Sequence, residues 1–115
     1  MNARIRALSV AIGATFAALA AMPAGAAVDA AAAQALARKS DCLKCHAIDK
    51  TKKAPSYQKI AAKWKGKPDA EAKLLDNITK KPKVKLEDGT EEEHKVVDTK
   101  DVGEMKNLIA WILSQ

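Results

Sequence analysis

The chain has 115 residues, enough for one domain and not two, and carries a formal net charge of +6 from 20 basic and 14 acidic side chains. Only 3% of its residues are Phe, Tyr or Trp, so a polypeptide core alone would be thin, and a domain this small calls for a staple. The positive excess is mild and is broken by Glu87, Asp88, Glu91, Glu92 and Glu93, which argues against a nucleic-acid-binding face.

Residues 1–26 read as a secretory signal. Arg4 and Arg6 form a basic start, and Ala7 to Ala21 is an uncharged, mostly apolar run of 15 residues. Met22-Pro23-Ala24-Gly25-Ala26 supplies a small-residue cleavage site, placed after Ala26. A membrane span needs about 20 apolar residues, more than this run supplies. Cleavage would leave residues 27–115 as one domain in the periplasm, with no membrane span. Its 18 basic side chains, the 20 less Arg4 and Arg6, face 14 acidic ones.

The Ala-rich stretch Val28 to Lys39 predicts a first helix that buries Leu36. Asp41 to Pro55 reads as a loop. Ser56 can cap a second helix, Tyr57 to Trp64, with Tyr57, Ile60, Ala61 and Trp64 on one face and Gly66 at its end. Pro68 and Asp69 open a third, Ala70 to Thr79, with Leu74, Leu75 and Ile78 inward. Residues 80–98 have no helical period; Val84 and Leu86, the Asp88-Gly89 turn, then Val96 and Val97 suggest a short hairpin. Asp98 or Thr99 is expected to cap a last helix, Lys100 to Ser114. Its apolar face would be Val102, Met105, Leu108, Ile109 and Ile112, with Trp111 flanking. The fold class is therefore all-α, with four short helices.

The loop carries Cys42-Leu43-Lys44-Cys45-His46, a C-x-x-C-H motif containing the only two cysteines. This spacing lets two thiols add across the two vinyl groups of haem and sets an imidazole under the iron. Three other chemistries use such cysteines. A thioredoxin-like pair needs a βαβ setting, and here an Ala-rich helix precedes the motif. A zinc site needs more donors, and only His94 remains as a nitrogen ligand. A plain disulfide would leave His46 without a role. Covalent haem c accounts for all three residues and for the staple.

With these residues in view, the chain resembles the class I c-type cytochromes, especially the short bacterial ones. The likeness runs from Ala35 to Asp41 into the haem motif, through Ala54 to Gly66, and into Leu108 to Ser114. It implies a cytochrome c fold in which first and last helices cross and one covalent haem slots between the helices. It also implies that the backbone carbonyl of Pro55 orients the proximal His46. The family pattern has a distal Met before the last helix, and here it is missing. Met1 and Met22 fall in the signal segment, and Met105 sits on the core stripe of the last helix. His94, the only other histidine, lies in the distal loop 17 residues before Trp111 and is the candidate sixth ligand to iron.

Two fixed axial ligands leave no open iron position, so the expected function is a monohaem single-electron carrier, not an enzyme. The rival is a small-gas binding or sensing module in which His94 leaves easily. A peroxidase would need a distal acid–base pair, and Arg38, the sole arginine outside the signal, precedes the haem motif. The expected partners are redox proteins with an acidic docking face. They would be met by a monomer through Lys44, Lys50, Lys52, Lys53, Lys80, Lys81, Lys83 and Lys85.

Overall fold

The computed structural model describes residues 27–115, so the expected signal segment lies outside the described residues. The elements are four helices, α1 (Ala30–Lys39), α2 (Tyr57–Trp64), α3 (Ala70–Thr79) and α4 (Val102–Leu113), with an exposed hairpin of β1 (Lys83–Lys85) and β2 (Glu91–Glu93) between α3 and α4. Helix α4 is the hub and packs on α1, α2 and α3. It is the most apolar element and buries Met105, Leu108, Ile109, Trp111 and Ile112. Against it α1 offers Ala33, Leu36 and Ala37, where two alanines one turn apart let the helices approach closely. The crossing is clamped by a reciprocal pair: Asp29 N–H donates to Asn107 Oδ1 at 2.9 Å, and Asn107 Nδ2 donates to the Asp29 carbonyl at 2.9 Å.

Helix starts follow their caps. Asp29 accepts from Ala32 N–H at 3.0 Å, so α1 begins at Ala30 and not at Val28. Ser56 accepts from Lys59 N–H at 3.1 Å, and α2 has its expected bounds. Gly66, at φ +73°, turns the chain out of α2 in the left-handed region that suits glycine. The last helix starts later than expected. Asp101 takes the cap, accepting from Glu104 N–H at 3.1 Å, while Thr99 only supports it by accepting from Asp101 N–H at 3.1 Å. Val102 accordingly sits at the first turn, 52% exposed, outside the core stripe, and Trp111 is a core residue, 4% exposed, not a flanking one.

The hairpin also differs. Its turn is at Asp88-Gly89, with Gly89 at φ +86°, but its second strand is Glu91–Glu93 and not Val96-Val97. Lys83 pairs with Glu93, Val84 with Glu92 and Lys85 with Glu91. Opposite charges thus stand directly across the ladder, which makes a run of three glutamates competent as a strand. Val97 instead enters the helical core, its N–H bonded to the Ile78 carbonyl at 2.9 Å. Among the described residues no helix is long and apolar enough to cross a membrane.

Candidate cofactor site

The end of α1 sets the cysteines. Ser40 N–H bonds back to Leu36 and Asp41 N–H to Arg38, then Asp41 takes φ +59°, a left-handed angle that Asp tolerates better than most residues. The reversal feeds a 3₁₀ turn, Cys42–Lys44, closed by Cys45 N–H and His46 N–H, both donating to the Cys42 carbonyl. One tight turn therefore places Cys42, Cys45 and His46 on the wall of one cavity. Both cysteines are half-buried free thiols. Burial pushes the Cys42 thiol above its ordinary value, so this sulfur is held as S–H and not as a thiolate.

His46 is fixed from two sides. Its Nδ1 lies 2.6 Å from the Pro55 carbonyl, and its ring stacks on Tyr57 at 5.3 Å between centroids with 20° between planes. A carbonyl can only accept, so Nδ1 carries the proton and Nε2 keeps a free lone pair. Burial lowers the proton affinity of His46; the Pro55 bond opposes this, and nearby His94 adds to it. A half-buried neutral imidazole with a free Nε2 is a metal donor.

His94 follows β2 directly. Its N–H donates to the Pro82 carbonyl at 2.9 Å, and its Nδ1 lies 2.9 Å from the Lys95 carbonyl, so here too Nε2 is the free nitrogen. The His46 and His94 rings both line the cavity, with centroids 6.3 Å apart and planes tilted by 47°. Two imidazoles on opposite sides of one metal, each with a bond of about 2 Å, have ring centres about 6 Å apart. Among the described residues no group of three or more His, Cys, Asp or Glu is placed to hold a metal ion. A metal between these rings would have to bring its other ligands with it, as the iron of a porphyrin does.

The cavity, about 530 Å³, is the size of a small-molecule site. Its walls are mostly apolar, with Ile60 and Trp64 from α2, Leu74 and Ile78 from α3, Leu86 from the hairpin, and Leu108, Ile109 and Ile112 from α4. Among the described residues one polar atom in its wall is orphaned: the Tyr57 hydroxyl is buried without a hydrogen-bond partner. An apolar slot with two facing imidazoles and two thiols at its edge fits a haem. Met105 is buried in the core and is not part of the cavity wall.

The family profile of cytochrome c matches residues 30–115. The chain belongs to the cytochrome c family. The class 1 cytochrome MtoD from Sideroxydans lithotrophicus ES-1 is 53% identical, with a TM-score of 0.73 over 76% of this chain and 97% of that one. Cytochrome c552 from Nitrosomonas europaea is 26% identical, with a TM-score of 0.56 over 70% of this chain and 96% of that one. Cytochrome c-551 from Pseudomonas aeruginosa is 40% identical over 45 residues, 39% of this chain and 43% of that protein. The chain thus spans under half the length of this curated relative in the match. These likenesses make the protein a class I c-type cytochrome with one covalently attached haem c.

Sequence reasoning did not find the role of Tyr57, which it placed on a generic apolar face. The signal available was its position two residues after Pro55, which carries the ring alongside the His46 imidazole. Nor did it find Leu86 as a wall, because that depends on the strand pairing it misassigned. The lysine cluster is less uniform than its sequence suggests. Lys44 pairs with Asp41 at 3.1 Å and Lys80 with Asp76 at 2.9 Å, Lys52 donates to the Leu43 carbonyl, and Lys83 and Lys85 face glutamates across the hairpin.

Proposed function

We propose that this cytochrome is a periplasmic single-electron carrier whose haem is linked through Cys42 and Cys45 and whose iron is held between His46 and His94. The observation that carries the reading is the 6.3 Å separation of the two imidazoles across the cavity, each with Nδ1 committed to a main-chain carbonyl. Bound haem supplies a reversible one-electron couple at its iron. The chain's own part is to hold both nitrogens in place, keep water out with Leu86, Ile78 and Ile109, and fix the His46 tautomer through Pro55. Two fixed ligands avoid rearrangement when the charge on iron changes. Export follows from the expected leader at 1–26, and lysines around the haem motif suit redox partners with an acidic face.

The gas-binding alternative needs a labile His94. Main-chain bonds to Pro82 at His94 itself and to Ile78 at Val97 argue against it. The test is the visible spectrum of holoprotein with and without carbon monoxide. Wild type is expected to be low-spin without a sulfur-to-iron band and inert to carbon monoxide, whereas His94→Ala becomes high-spin or accepts added imidazole. Ready carbon monoxide binding by wild type would favour the gas binder, and an unchanged spectrum in His94→Ala would remove His94 as ligand.

A further inference from the structure

Among the described residues Tyr57 is the largest fully buried side chain, and it touches both His46 and Trp111. Its ring stacks on His46, and its edge meets Trp111 at 5.4 Å and 75°, so it has no freedom to swing away. Its hydroxyl is buried, and among the described residues nothing meets hydrogen-bond geometry with it. A buried phenol normally finds a partner. Cys42 lines the same cavity and packs against the core cluster that holds Tyr57, and its sulfur and the phenol each perturb the other's proton affinity.

A thiol can donate or accept, but a thioether has lost its S–H and can only accept through its lone pairs. A phenol carries its proton at neutral pH, so the Tyr57 hydroxyl remains a donor. The haem's carboxylates are on the edge of the macrocycle away from the vinyl-bearing edge, out of reach of a hydroxyl placed at the cysteine link. We propose that the Tyr57 hydroxyl donates a hydrogen bond to the thioether sulfur of Cys42 while its ring braces His46, making Tyr57 a positioning residue that ties one covalent link of the haem to its proximal ligand. This rests on Cys42 being an attachment point. The bond draws electron density from that sulfur and so favours the reduced haem.

The test uses holoprotein and resonance Raman spectra of the thioether carbon–sulfur stretches, with Cys42→Ala identifying which band belongs to Cys42. In wild type the Cys42 band is expected to shift on transfer to heavy water, because its partner is an exchangeable hydroxyl, while the Cys45 band stays put. Tyr57→Phe keeps the ring and should abolish that isotope shift, with a move of the reduction potential to lower values. A Cys42 band that ignores heavy water in wild type, or keeps its shift in Tyr57→Phe, would overturn the role of the hydroxyl and leave the attachment reading standing. Wild type with no Cys42-dependent band would instead sink the attachment reading, and this inference with it. If Tyr57→Phe does not accumulate as holoprotein, the wild-type isotope shift decides alone.

Discussion

The buried hydroxyl of Ser40 accepts a hydrogen bond from Asp98 N–H at 2.8 Å, joining the end of α1 to the end of the distal loop across 58 residues of sequence. Lys39 adds an ion pair to Asp98 at 3.6 Å, exposed on both sides and so a minor contributor. With Val97 bonded to Ile78 and His94 to Pro82, the segment that carries the His94 imidazole is held at three points. The helix that leads into the C-x-x-C-H motif therefore also anchors the loop that brings His94 to the cavity.

Ser40→Ala should loosen that anchor. It leaves the part-buried Asp98 N–H unpaired, at a cost of about 1 kcal/mol. Denaturant unfolding of holoprotein should register this loss. Added imidazole should also displace His94 more readily than in wild type. Unchanged imidazole affinity would mean that the hairpin alone positions His94.

The hairpin offers a second handle, sensitive to pH. Asp88 accepts from both the N–H and the hydroxyl of Thr90, and these bonds hold its carboxyl below the usual value. A carboxyl lowered in the fold stabilises it above its unfolded pKa, and that contribution is lost as pH falls through the lower folded value. Asp88→Asn should therefore loosen the turn near neutral pH and matter little in strong acid. Gly89→Ala, at φ +86°, should destabilise by about 1 kcal/mol at every pH, since it strains the backbone and titrates nothing. Imidazole binding followed against pH separates the two; identical profiles would refute the role of Asp88.

How much of this could be read in advance depended on whether the signal was local. Ser56, Gly66 and Asp69 are local punctuation, and α2 and α3 have their expected bounds. Three acceptors crowd the start of α4, and nothing in Asp98, Thr99 or Asp101 says which one the tertiary packing will choose. The strand Glu91–Glu93 has no apolar alternation; its pairing comes from Lys83 and Lys85 opposite, visible only once the register is known. His94 was singled out by elimination, because no methionine stands in the loop before α4, and the structure places it on the cavity wall opposite His46. Tyr57 was not singled out, since stacking on His46 and approach to Cys42 are facts of packing.

Met105 separates packing from ligation. It is 8% exposed, on the core stripe of α4, and absent from the cavity wall. Met105→Leu conserves volume closely and should cost less than about 1.5 kcal/mol, without altering the absorption spectrum. Loss of the low-spin spectrum in Met105→Leu would show that its sulfur reaches iron after all.

The reduction potential draws these strands together. Methionine is a weaker donor to ferric iron than imidazole, and Met/His ligation raises the potential of a cytochrome c. Burial acts in the same upward sense, because an apolar cavity disfavours the extra positive charge of the oxidised haem. The apolar walls from α2, α3 and α4 therefore set one part of the potential. The proposed His94 donor sets the other, and lowers it relative to a methionine. Wild type should therefore have a potential below that of His/Met-ligated relatives. His94→Met should raise it and bring in a sulfur-to-iron band, provided the shorter reach of the new side chain is accommodated by the hairpin. Spectroelectrochemical titration of both proteins measures the two effects at once. A wild-type potential in the His/Met range, unmoved by His94→Met, would mean that the distal nitrogen of His94 never bound the iron.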